Sequence, residues 1–316
     1  MGKSKTIVVA LGGNAITQPS EEGNIYEQFA NTRRSLEGVV ELLRLGHRVI
    51  ITHGNGPQVG NYLIRVEEAR HLVPPLPLGI IVADTEGGMG YMIEQSLLNL
   101  CHDHGIPKQI ACVVTQVIVN KDDPSIKNPT KFVGPFFKKE QVEKLVRERG
   151  WVMKEDRGRG WRRVVPSPRP RAIVEKDVIR LLVEHDVVVI AAGGGGVPVY
   201  VAENGWLEGL DAVIDKDLAS AVLGAEIGAD ELMILTGVEK VALHFATPRQ
   251  RFLDSMTVSE AQRYLAEGHF PPGSMGPKIE AAIWFLTHGG KRVIITSIEK
   301  SLQAAHGKAG TVILPD

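Results

Sequence analysis

The sequence predicts an α/β fold built on a mainly parallel sheet. Short runs rich in Val and Ile recur along the chain, each followed by a glycine-containing turn and then by residues with helical periodicity. Glycine clusters also close three of these runs, at 12–13, 54–56 and 193–196. With 316 residues, the chain is long for one compact core and short for two independent domains. Two lobes sharing one sheet are therefore expected, 1–185 and 186–316.

The elements follow in order. Residues 6–11 form the first strand, and the turn Gly12-Gly13 leads to a helix over about 26–45. Phe29, Leu36, Val40 and Leu43 lie on one face of it, and Gly46 is its C-terminal stop. Residues 48–52 form the second strand, followed by a helix around 91–100. The strand predicted at 111–119 is almost continuously apolar, as a strand covered on both faces should be. Regular alternation then breaks. Residues 121–170 contain six prolines and many charges, with one plausible helix near 139–149, so this stretch reads as an excursion from the sheet that serves as a lid or binding flap. A helix over 173–184 and a strand over 187–192 restore the pattern. A helix after Asp215, a strand at 231–235, a helix opened by Thr257 with Glu260 as its capping-box partner, a helix from Pro277 and a strand at 292–296 complete it.

Composition narrows the function classes. The 43% hydrophobic and 23% charged fractions exclude disordered and fibrous chains. A formal net charge of -1 gives no global argument for nucleic acid or an anionic membrane. Locally, residues 121–171 hold 15 basic and 7 acidic side chains, an excess that is either a solvated surface or a face toward something anionic. Cys101 and Cys112 are too few for a disulfide framework or a zinc site and read as buried free thiols. The first apolar run stops at Gly12, too short for a signal peptide, and no stretch of about 20 apolar residues occurs; a cytoplasmic protein is expected.

The three glycine turns fall at strand ends, the edge of an open α/β sheet where ligands bind. Backbone without a Cβ can approach a ligand closely, and the N–H groups of such turns cradle phosphate oxygens. One such turn is usually just a tight turn; three together point to a site. No glycine turn has the Lys and Ser or Thr of a Walker sequence, and Gly54, Gly56 and Gly60 miss the dinucleotide spacing by one residue. Lys131, Lys216 and Lys278 stand in unusual settings. Each could be a plain surface lysine, but Lys278 in the first turn of a helix opposes the helix dipole unless an anion is also present.

Seven runs carry a resemblance: VVALGGNAI (8–16), THGNGPQVGN (52–61), NPTKFVGPF (128–136), EDRGRGWRRVVPSPRP (155–170), GGGGVPV (193–199), AVIDKDLAS (212–220) and GSMGPKIEAAI (273–283). In this order, across essentially the whole chain, they resemble the carbamate kinases of the amino acid kinase family. NPTK, GRGWR and DKD followed by SMGPK mark that branch specifically. The resemblance implies a three-layer αβα sandwich around an eight-stranded mainly parallel sheet, with 121–170 as a small protruding subdomain. It further implies a carbamate or carbamoyl phosphate site in the N-terminal lobe and ATP or ADP in the C-terminal lobe. A homodimer, a role in arginine metabolism and Mg2+ carried by the nucleotide rather than by protein ligands are implied as well. By the same resemblance Lys131 and Lys216 neutralise the transferring group, Lys278 binds nucleotide phosphates and Asp217 orients the lysines. Gly12, Gly13, Asn14, Gly54, Asn55 and Gly56 wrap carbamoyl phosphate, while Gly194, Gly195, Met275 and Gly276 join Lys216 and Lys278 around the nucleotide.

Two departures stand out. Where the family commonly has GAMTQG or GAMSQG, this chain reads ADTEGG, so Glu86 replaces a Gln-like position and Asp84 is added; the segment reads as a surface-facing helix start. Phe132 replaces a common proline beside Lys131. Because two carboxylates near an anionic acceptor are unfavourable, a kinase for another small acid stays open. So does a nucleotide sensor that has lost catalysis, although retention of Lys131, Lys216, Asp217 and Lys278 argues against it. A nucleic-acid module is disfavoured by sparse aromatic residues.

Overall fold

A computed structural model describes residues 4–18, 21–156 and 158–316, and every residue described but Asn14 includes its side chain. The main sheet has eight strands in the order Ser255–Thr257, Thr311–Leu314, Arg292–Ser297, Glu231–Thr236, Thr6–Leu11, Arg48–His53, Val188–Ile190 and Ile110–Cys112. The last six of these are mutually parallel, and the first two run the other way. The central strand Thr6–Leu11 is buried at every position, so alternate residues serve opposite layers. Val8 and Ala10 join a core with the helices Lys176–Glu184, Lys216–Glu226 and Met275–Thr287. Ile7, Val9 and Leu11 join a second core with Glu37–Arg44 and Leu78–Asp103. This is the three-layer αβα sandwich expected from the sequence.

The excursion at 121–170 folds as more than a loop. Lys131–Phe137, Trp161–Val165 and Val152–Glu155 make a three-stranded antiparallel sheet, accompanied by the helix Lys139–Arg149. It leaves from and returns to a second sheet, where Gln116–Val119 and Pro170–Ile173 pair antiparallel.

Four sequence expectations need correction. The predicted strand at 111–119 is two strands, Ile110–Cys112 in the main sheet and Gln116–Val119 in the second sheet. Between them the Thr115 N–H donates to the buried Glu86 carboxyl (2.7 Å) instead of to a ladder partner. The helix at 26–45 is two helices, Ile25–Ser35 and Glu37–Arg44, with Leu36 between them. Near the break Ser35 Oγ donates to the carbonyls of Ala15 (2.7 Å) and Asn31 (2.9 Å), and such hydroxyl bonds to the backbone bend helices. The segment 83–91 is no helix start. The helix containing it begins at Leu78, after Pro77, and runs to Asp103. Its glycines read locally as turn signals, but Gly90 is needed for close packing, since a Cβ there would fall on Cys112 Sγ. Cys112, expected to be buried, is only partly so; both thiols are free. No described helix is long and apolar enough to cross a membrane.

Phe285 is wholly buried where the Met275–Thr287 helix meets Gly224 and Gly290, both of which lack the Cβ that would strike its ring. Phe285→Ala should lower the unfolding free energy by about 3–5 kcal/mol, measured by urea denaturation.

Candidate active site

The three glycine turns follow Thr6–Leu11, Arg48–His53 and Val188–Ile190, which are neighbours in the sheet, so all three turns meet at one C-terminal edge. A cleft of about 300 Å³ opens there, and Gly13, Gly54, Asn55, Gly56 and Gly194 contribute to its lining. Lys131, Lys216, Asp217 and Lys278 line the same cleft. Strands and helices far apart in sequence thus bring one set of groups together. The helices Gly56–Ala69 and Lys216–Glu226 begin at its wall, and Ser274, which precedes Met275–Thr287 without a side-chain capping bond, lines it too. Helix starts carry partial positive charge, so their convergence suits an anion, with the Asp217, Leu218 and Gly276 N–H groups already bonded to Asp215 and Pro271.

Asp215 opens the Lys216–Glu226 helix. One carboxylate oxygen accepts the N–H groups of Asp217 (3.0 Å) and Leu218 (3.4 Å), and the other accepts Lys131 Nζ (3.1 Å). Asp215 is thereby the N-cap of this helix, and Lys216 is not the plain surface lysine that its sequence setting allowed. Its side chain is 11% exposed and pairs with Asp217 Oδ1. Lys278 Nζ bonds the other Asp217 oxygen at 3.0 Å. Burial lowers the Lys216 ammonium below the ordinary lysine range, Asp217 raises it and Lys278 lowers it further. Burial alone would raise the Asp217 carboxyl, but Lys216 and Lys278 overcome this and bring it to about 2. One fixed carboxylate thereby holds two mutually repelling cations in the cleft, while Lys131 arrives from the protruding subdomain and is 40% exposed.

Not every glycine at this edge faces the cleft. The Gly12 N–H donates to Leu235 O (3.0 Å), and a Cβ on Gly12 would lie 2.8 Å from that oxygen, so the residue permits close approach of two strands. Gly195 has φ +99 and its missing Cβ makes room for the Ile214 carbonyl. Gly194 has φ +66, and a Cβ there would fall inside the Asn55 side chain. Met275 and Gly276 sit behind Ser274 without lining the cleft, and the Gly276 N–H is already bonded to Pro271 O (3.1 Å). The side chain of Asn14 lies outside the described part of the structure. Asp84 is exposed and borders a different cavity, and Glu86 is 1% exposed beneath the site, so neither carboxylate enters the cleft.

Arg162 lines the cleft but was not among the expected site residues. Its Nε donates to Gly134 O (3.1 Å), its Nη1 to Asp156 (3.3 Å), and its guanidinium lies 5.7 Å from the Phe132 ring centroid. Its place in GRGWR was the available signal. Phe132, the residue that departs from a common proline, thus also supports a cation at the cleft wall.

Among the described residues no cluster of three or more His, Cys, Asp or Glu could hold a metal ion. All four oxygens of Asp215 and Asp217 already accept hydrogen bonds.

A parallel α/β sheet whose C-terminal edge gathers lysines, helix starts and bare amides defines a phosphoryl-transfer enzyme. The chain belongs to the amino acid kinase family, whose model matches residues 5–297. It is 49% identical to a carbamate kinase of Pyrococcus horikoshii, with 98% of this chain and 99% of that protein covered. It is 48% identical to a carbamate kinase of Pyrococcus furiosus at the same coverage. Its structure is similar to that of carbamate kinase from Giardia lamblia bound to AMP-PNP, with a TM-score of 0.93, 40% identity and 100% of both chains covered.

Asp217→Asn leaves two cations without their shared counter-charge and should cost about 3–5 kcal/mol of stability at neutral pH. Because the folded-state pKa of Asp217 is depressed, its contribution is complete above the unfolded value of 3.8 and is lost as pH falls through about 2. Denaturant unfolding at neutral and acid pH should therefore show a smaller wild-type advantage in acid.

Proposed function

We propose that this chain is a carbamate kinase, catalysing ATP + carbamate = ADP + carbamoyl phosphate, and that it works chiefly toward ATP. The observation that carries the reading is the convergence of Lys131, Lys216 and Lys278 with Asp217 on one cleft. The similarity to carbamate kinases over nearly the whole chain supports the acceptor.

The chemistry explains the site's composition. A carbamate oxygen is already anionic, so attack on a phosphoryl group needs no general base. The obstacle is repulsion between anions, and catalysis consists of positioning and charge neutralisation. Lys216 and Lys131 flank the transferring phosphoryl group. Lys278 holds the nucleotide phosphates, and Asp217 fixes the position of both Lys216 and Lys278. Gly13, Asn55 and Gly56 receive carbamoyl phosphate through their backbone amides and the Asn55 side chain, while Gly54, whose N–H is bonded to Leu11 O (3.0 Å), lines the cleft beside them. Gly194 lies against Asn55 and faces the same cleft. Arg162 adds a further positive charge at the flap side. Gly12, Gly195, Met275 and Gly276 shape the site from behind rather than touching ligand.

Magnesium would be carried by the nucleotide phosphates, since Asp215 and Asp217 are engaged in holding Lys131, Lys216 and Lys278. When bound it supplies additional charge neutralisation at those phosphates. A lobe holding carbamoyl phosphate over 1–185 and a nucleotide lobe over 186–316 follow from this assignment. We further infer a cytoplasmic homodimer serving arginine metabolism. Asp84 and Glu86 stay out of the cleft, which removes the main reason to favour another small acid as acceptor.

The decisive measurement is ATP production from ADP and carbamoyl phosphate. Wild type should turn over, and Lys216→Met should lower kcat by about two to three orders of magnitude, as for loss of one transition-state charge donor. A Lys216→Met enzyme within threefold of wild type would end that assignment.

A further inference from the structure

Beneath the cleft lies a buried polar chain that the mechanism above does not use. Thr85 and Glu86 are adjacent on the Leu78–Asp103 helix, and both are buried. Thr85 Oγ1 accepts Asn55 Nδ2 (2.9 Å), holding the side chain that lines the cleft. Glu86 Oε2 accepts the Thr115 N–H (2.7 Å), and Thr115 Oγ1 in turn accepts the Ala192 N–H (2.9 Å). Ala192 has a left-handed φ of 48 and starts the Gly193–Gly195 turn, which brings Gly194 against Asn55. The two neighbouring side chains therefore grip two different cleft turns from one rigid helix. We infer that Glu86 is a positioning residue which, with Thr85, sets the register of the turns carrying Asn55 and Gly194. This inference rests on the proposed phosphoryl transfer for its kinetic consequences.

The surroundings say in which form Glu86 acts. Oε1 is buried without a hydrogen-bond partner among the described residues, a costly state for an ionised oxygen. The groups facing it offer no cation. Across Gly193, where a Cβ would lie 3.0 Å from Glu86 Cγ, stands the His53 ring. Burial holds that ring to about 4, and it is neutral. From the Ile110–Cys112 strand the Cys112 thiol, pushed up to about 11, lies 3.8 Å from the Glu86 carbonyl. Glu175 is a second carboxylate nearby, occupied by Gln116 N (2.8 Å) and Nε2 (2.9 Å). Lys216 lies beyond His53 and is paired with Asp217. Burial raises the Glu86 carboxyl well above its ordinary range, the Thr115 N–H opposes this, and Glu175 adds to it. Burial, the unpartnered Oε1 and the lack of a facing cation thus favour the protonated form of Glu86, and an amide of the same shape is its natural mimic.

The test compares wild type, Glu86→Gln and Glu86→Ala in ATP formation from ADP and carbamoyl phosphate across the neutral and alkaline range, with urea unfolding from pH 4.5 upward through the same range. Glu86→Ala should lower kcat/KM by about 10- to 100-fold, the usual effect of a misplaced site. Glu86→Gln should stay within about twofold at neutral pH, since it keeps the acceptor for Thr115, and should remain active to higher pH than wild type. In unfolding, the raised folded-state pKa makes the Glu86 contribution complete below the unfolded value of 4.5 and progressively lost as pH rises toward the folded value. Wild type should accordingly weaken relative to Glu86→Gln over that range. Parallel pH profiles for wild type and Glu86→Gln, equal damage in Glu86→Gln and Glu86→Ala, or full activity in Glu86→Ala would each overturn the inference. Should Glu86→Ala not fold, the Glu86→Gln profiles decide alone. If wild type makes no ATP, the proposed reaction fails while the unfolding comparison still reports on Glu86.

Discussion

Everything at the cleft depends on one carboxylate holding like charges together. Lys216 and Lys278 repel each other, and burial makes either cation expensive on its own. Asp217 sits between them with one oxygen for each, on a helix whose first turn is already fixed by Asp215. A site that must bind anions would otherwise lose its cations to deprotonation or to solvent in the absence of ligand. With Asp217 in place, the positive field exists before anything binds, which is the condition for electrostatic catalysis without reorganisation.

The second requirement is closeness of backbone, and glycine serves it in two ways. Gly13, Gly54 and Gly56 expose main chain to the cleft, whereas Gly12 and Gly195 let one segment of main chain press against another. The two uses are indistinguishable in sequence, because both appear as glycine after a strand. Only the neighbour that occupies the missing Cβ separates them, and for Gly12 that neighbour is Leu235, more than two hundred residues away.

The limits of reading the chain follow the same logic. Periodicity and strand-end glycines were enough for a mainly parallel α/β sheet, the resemblance to carbamate kinases supplied the three-layer sandwich, and the capping box at Thr257 and Glu260 appeared as read. Lys278 stood out because its place in a first helical turn opposes the helix dipole, whereas Lys131, Lys216 and Asp217 were marked chiefly by the resemblance to carbamate kinases. What escaped was decided by distant partners. The strand at 111–119 looked continuous because its apolar pattern is continuous, while the break comes from Glu86 capturing the Thr115 amide. The start of the long helix was missed because glycines at 87, 88 and 90 mimic a turn when seen without Cys112 beside them. Arg162 is one of several arginines in its run, and its position at the cleft wall is set by Gly134, Asp156 and the Phe132 ring.

The stem of the protruding subdomain has a consequence for how such a protein can change. Val119 pairs with Pro170, so the two ends of the excursion stand side by side at an antiparallel edge of the second sheet. Joining them by a short hairpin would leave the sandwich topologically unchanged, and loop-closure entropy grows only slowly with inserted length. The appendage is thus an exchangeable cassette: it delivers Lys131 and Arg162 to a scaffold that already holds Lys216 and Lys278.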